Sequence, residues 1–302
     1  MTTFDSQLGA MSNRVLQIKE NLKSGMLVEC NHDFIWIREK LEAAYNDGSE
    51  ETFQEVFKMF DEHGVFPLIW TEINCSKPAE ALYAVKFLRI LSLTYTREIL
   101  NELINSQNTI RELTHLAMRL DEREESHAVV FQSVLVFEGN LINGSDELRM
   151  KFKGDIVVML REASRMAQNV MVKEYIVRYL ALLFNSKETP SRDFLALIGS
   201  NMLDLVIERL KIWKSDDQLD ICKDACLVLC AMTRGTEERD EKDFSEVCYY
   251  AYEKGVFHAM TDILADSKAD ERLKCLIFRI IGHAYSFETY QELESVSLGG
   301  LP

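Results

Sequence analysis

Apolar residues recur along almost the whole chain at intervals of three and four, the spacing that gathers them on one side of a helix. Residues 30–46, CNHDFIWIREKLEAAYN, set Phe34, Ile35, Ile37, Leu41 and Tyr45 on one broad face. No segment alternates convincingly with the two-residue period of a strand, so every predicted element is helical. One long apolar run, VVFQSVLVFEGNLIN (129–143), interrupts its own pattern with Glu138, Gly139 and Asn140.

That interruption belongs to a repeat. A short amphipathic helix, a turn and a second helix recur as EVFKMFDEHGVFPLIWTEI (55–73), REILNELINSQNTIRELTHLAM (97–118), DELRMKFKGDIVVMLREA (146–163), SRDFLALIGSNMLDLVIERL (191–210) and FSEVCYYAYEKGVFHAMTDIL (244–264). Aligning Phe66, Ile110, Ile156, Leu203 and Phe257 gives spacings of 44, 46, 47 and 54. Gly64, Asn108, Gly154, Asn201 and Gly255 mark the turns, where a helix end favours a left-handed residue. A longer apolar helix follows each pair: 78–94, 127–143, 170–185, 219–233 and 271–287. Each carries a small residue late in its course, Ser92, Gly139, Ala181, Cys230 or Gly282, spaced by 47, 42, 49 and 52. These five are expected to be close-packing positions, because stacked helices approach nearest where side chains are short. Gly139 costs about 1 kcal/mol of helix propensity relative to alanine, so retaining it there implies a need for space. Glu138 is expected to face solvent or a neighbouring arginine.

With FEGNLIN as its nearest local copy, and with HGVFPLIWTEI and KGVFHAMTDIL, the unit resembles the armadillo (or HEAT-like) repeat. In that family two shorter helices precede a longer one ending in a pattern like ALSNLA. The resemblance implies an all-α fold: a right-handed α-solenoid of about five three-helix repeats over residues 49–290, with an N-terminal helical cap over 1–48. Units fall at about 49–77, 78–126, 127–169, 170–218, 219–270 and 271–290, and 291–302 would form a loose tail.

Composition narrows the function classes. Of 302 residues, 47% are hydrophobic and 27% charged, which suffices for a large core, and only 4 are Pro and 13 Gly, against a turn-rich architecture. The net charge of −15 disfavours nucleic acid and anionic membrane as partners. No window reads as a secretory signal or a membrane span. Seven scattered cysteines inside helical runs read as reduced thiols, placing the chain in the cytoplasm, with the nucleus open. The sequons at Asn74 and Asn143 then read as turns rather than glycosylation sites. The acidic runs DEREE (121–125) and EERDEKD (237–243) read as solvated loops, with docking of a basic partner as the alternative.

Catalytic motifs are lacking: there is no GxGxxG, Walker loop, HExxH or nucleophile elbow, and the six histidines share no ligand spacing. We therefore expect no enzyme, no cofactor and no metal. Cys222, Cys226 and Cys230 form an i, i+4, i+8 stripe that reads as core packing. A metal or redox site, joined by Cys275, stays open beside it.

In the resembling family the long third helix lines a concave groove that holds extended peptides, often through an Asn with an aromatic one turn earlier. Carried onto this chain, the Asn position falls on Leu93, Asn140, Leu182, Ala231 and His283. The position one turn earlier falls on Arg89, Val136, Arg178, Leu227 and Arg279. Only Asn140 keeps the family residue, and no position has its Trp, which argues against a receptor for basic import signals. In place of the aromatics stand Arg89, Arg178 and Arg279, with Lys86 one turn before Arg89. The expectation is a concave basic stripe, with Asn140 and His283, that takes a partner protein or an acidic or phosphorylated peptide. The competing account is that each Arg pairs with a local acid, such as Glu174 beside Arg178. A non-catalytic scaffold or adaptor is the leading function, and a regulator of nucleotide exchange on a bound ATPase or GTPase the alternative. A homodimer is left open.

Overall fold

The computed structural model describes residues 3–94, 99, 101, 103, 109–143, 146–153, 156–185, 191–214, 218–234 and 241–285. These residues hold sixteen α-helices and no strand. The tail at 291–302, most of the acidic run 237–243, and the turn residues Asn108 and Gly154 lie outside them. No described helix is long and apolar enough to cross a membrane. The chain divides into two compact units, residues 1–152 with 165–172, and residues 153–164 with 173–302.

Unit 1 begins with α1 (Thr3–Lys23), α2 (Asn31–Asn46), α3 (Glu50–Glu62), α4 (Val65–Cys75) and α5 (Leu82–Leu91). It continues with α6 (Thr109–Met118), α7 (Glu125–Ile142) and α8 (Asp146–Lys153). Phe34, Ile37 and Leu41 of α2 are buried as the periodicity requires, whereas Ile35 lies at the flank and Tyr45 is exposed. The long helices pack in series, α2 on α5 and α5 on α7. Their core is aromatic: Phe87 lies against Phe34 at 5.3 Å and Phe60 at 4.7 Å, and Phe60 against Phe66 at 5.6 Å.

Helix α9 (Ile156–Met166) opens in unit 2 and closes in unit 1. Unit 2 continues with α10 (Val170–Phe184), α11 (Ser191–Gly199), α12 (Met202–Lys211), α13 (Leu219–Thr233), α14 (Glu241–Glu253), α15 (Val256–Ala265) and α16 (Glu271–Tyr285). Here α13 packs along α16 and α12 along α13, while Phe184 meets Phe194 at 5.1 Å.

The turns between paired short helices behave as their residues demand. Gly64 (φ 62°), Asn201 (φ 59°) and Gly255 (φ 75°) are all left-handed, a conformation a β-branched residue would resist. Three positions picked by sequence alignment alone therefore share one backbone state.

Candidate partner-binding site

Two cross-helix polar pairs fix how one repeat meets the next. In unit 1, Asn140 on α7 donates its Nδ2–H to the Arg89 carbonyl and to Ser92 Oγ, both at 3.1 Å, at the end of α5. Ser92 Oγ also donates to the Arg89 carbonyl at 2.7 Å. In unit 2, His283 Nδ1 on α16 lies 3.8 Å from Cys230 Sγ near the end of α13. Each pair joins the Asn-type position of one long helix to the small-residue position of the preceding one. The geometry also reassigns Asn140. Its amide hydrogens cap a carbonyl that the helix end leaves without a partner, so they are engaged within the protein.

Beside Asn140, unit 1 carries a compact group of cations. Lys86 and Arg89 sit one turn apart on α5, and Arg38 approaches from α2. Burial first, then the charges of Arg38 and Arg89, lower the proton affinity of Lys86. Arg38 has Glu42 at 3.4 Å. Lys86 lies 5.9 Å above the Tyr83 ring. Neither Lys86 nor Arg89 has a carboxylate within 4.0 Å among the described residues. Three like charges held together raise the energy of the face they share, and a bound anion relieves it.

Unit 2 differs. Arg178 is already paired, its Nε 3.2 Å from Asp224 Oδ2, and the partner is not the neighbouring Glu174 but an acid on α13, 46 residues on. Burial raises the pKa of Asp224, and the Arg178 hydrogen bond and charge oppose that shift. Arg178 therefore ties α10 to α13. With Arg178 about half exposed (54%), the pair adds little stability. Arg279 is exposed, has no carboxylate partner among the described residues, and sits one turn before His283.

Cys222, Cys226 and Cys230 are all buried. Burial pushes Cys222 up to about 11 and raises Cys226 and Cys230 as well, so all three stay neutral thiols near pH 7. Cys222 donates to the Arg209 carbonyl at 3.2 Å. Cys275 is exposed and does not join the stripe. Among the described residues no cluster of His, Cys, Asp and Glu could hold a metal.

The small positions fare unequally. Ser92, Gly139, Ala181 and Cys230 are buried. Gly282 is exposed, and a Cβ placed on it would meet nothing within 4 Å, so it is not a close-packing residue. Gly282→Ala is accordingly expected to stabilise the chain by about 0.5–1 kcal/mol through helix propensity. A lower midpoint in urea would restore the packing role. Glu138 is fully buried, which overturns the solvent-facing half of its expected placement.

Two arginines missed by the sequence reading clasp successive repeats. Arg119, just past α6, donates to the carbonyls of Ile73 (3.0 Å), Asn74 (2.5 Å) and Ser76 at the end of α4. Arg165, at the end of α9, donates to the carbonyls of Ala117 (3.2 Å) in the last turn of α6 and Leu120 (2.5 Å) just past it, and to Glu122 at 3.1 Å. Both stand nine residues after their repeat anchors, Ile110 and Ile156. That shared offset was the available signal.

No protein-family model matches the chain, and no curated protein matches it by sequence. Solved structures do. A designed armadillo repeat protein in complex with the peptide (KR)4 is similar at TM-score 0.63 and 16% identity, over 89% of this chain and 98% of that one. A second designed armadillo repeat protein gives 0.62 and 15%, over 89% and 98%. A crystal structure of an engineered protein gives 0.65 and 13%, over 90% and 96%. At such identity the likeness speaks to the fold alone. It agrees with the turns, the repeat spacing and the polar pairs: this chain has an armadillo-like repeat fold.

Proposed function

We propose that the protein is a non-catalytic interaction module that holds an acidic segment of a partner protein on the α2–α5 face of unit 1. The observation that carries this reading is the grouping of Arg38, Lys86 and Arg89 in a chain of net charge −15. Cations collected against the overall charge call for a local anion, and arginine forks suit carboxylates or phosphates. The absence of catalytic sequence motifs fits a binding role, as does a fold that presents extended surfaces rather than an enclosed pocket. That none of the seven cysteines forms a disulfide supports a reducing compartment, cytoplasm or nucleus.

A fluorescent peptide of ten glutamates tests the site. The double variant Lys86→Glu/Arg89→Glu is expected to bind it at least about tenfold more weakly at low salt, with unchanged helicity by circular dichroism. Wild-type binding is expected to weaken as salt rises, as for any partly exposed charge pairing. Equal affinity of variant and wild type would remove the proposal.

A further inference from the structure

We infer that Arg234, Arg279 and His283, gathered around Cys230 in unit 2, form a receptor for a phosphomonoester on a partner peptide. The inference extends the partner-binding reading to a second site and shares no residue with the α2–α5 face.

The placement follows from two helices and one contact. On α13, Cys230 lies one turn before Arg234, the residue that ends the helix. On α16, Arg279 lies one turn before His283. The 3.8 Å approach of Cys230 Sγ to His283 Nδ1 joins these two pairs. Both guanidinium charges act on the same sulfur: Arg234 and Arg279 each oppose the upward shift that burial imposes on Cys230. The thiol stays neutral and contributes no competing anion. Arg279 is exposed and Arg234 half-exposed, so both can reach a ligand. Neither has a carboxylate partner within 4.0 Å among the described residues.

A simpler explanation is that these cations only balance the helix ends. Each C-terminus carries about half a negative charge, so α13 and α16 together present roughly −1. Two guanidinium groups bring +2, leaving an excess of about one positive charge. That excess, presented by two forks from different helices, suits an anion with several oxygens and close to two charges better than a single carboxylate. The net charge of −15 scarcely opposes one phosphate on a short peptide.

The test uses the full chain labelled with nitrogen-15 and phenyl phosphate as the first probe. The arginine Nε–H signals of Arg234 and Arg279 are expected to move together on titration, and not in Arg279→Gln. Fluorescence anisotropy then compares a phosphoserine-centred peptide library with its unphosphorylated counterpart. The phosphorylated library is expected to bind at least about tenfold tighter, with the preference lost in Arg279→Gln and kept in Lys86→Glu/Arg89→Glu. Unmoved arginine signals, or a preference that survives Arg279→Gln, overturn the inference. So does binding of inorganic phosphate and phenyl phosphate without any preference for the phosphorylated library, which would mean a site for free anions. A preference lost only in the Lys86/Arg89 variant would assign phosphate to unit 1, leaving the proposed function standing and this inference refuted.

Discussion

Replacing Phe87 with alanine is expected to cost about 4 kcal/mol, the largest single effect in unit 1. Phe87 is fully buried on α5 and touches two other elements through its ring, Phe34 of α2 and Phe60 of α3. Phe60 passes the contact on to Phe66 of α4, which also meets Phe57 at 5.3 Å. Truncation removes both stacks and leaves a cavity that four helices would have to collapse together to fill. Urea unfolding followed by circular dichroism measures the cost. Phe278→Ala is the matched control, since that ring is 62% exposed on α16 and its loss should fall within about 0.5 kcal/mol. Comparable losses for the two variants would mean that the aromatic cluster is not the core of unit 1.

Arg119→Ala ranks second, at about 2–3 kcal/mol. The side chain donates to three carbonyls at the end of α4, and a helix end cannot satisfy those groups within itself. Hydrogen bonds from a charged donor contribute more than neutral ones, but partial solvent access lets water recover some of the loss. The fork shape is central, because one guanidinium reaches several acceptors while an ammonium acts as a point charge. Arg119→Lys should therefore recover less than half of the deficit. Full recovery in that variant would reduce the clasp to simple attraction between a charge and a helix end.

Periodicity and turn chemistry were legible because they are local. The left-handed state of Gly64, Asn201 and Gly255 follows from residue type at a repeating place. The pairs of Asn140 with Ser92 and of His283 with Cys230 fall on aligned positions of the long helices, but the sequence assigned Asn140 and His283 to a partner and not to these contacts. Three features were not legible, each because it depends on something non-local. Arg178 finds Asp224 rather than Glu174, since a long side chain can cross to the next helix as easily as along its own. Gly282 lacks a packing role because a Cβ there would meet nothing within 4 Å, whatever its alignment suggests. Arg38 lay outside the aligned repeats, so nothing in their register linked it to Lys86.

The clasps of Arg119 and Arg165 stand 46 residues apart and reach back to equivalent places. These two repeats thus each bring their own attachment to the preceding one. Duplicating one whole period would hand the copy a working clasp and a working acceptor, with no second change needed. An insertion between an anchor and its arginine would misplace the clasp. Growth by whole units is therefore built into the bonding of these two repeats, whatever the length of the segments between them.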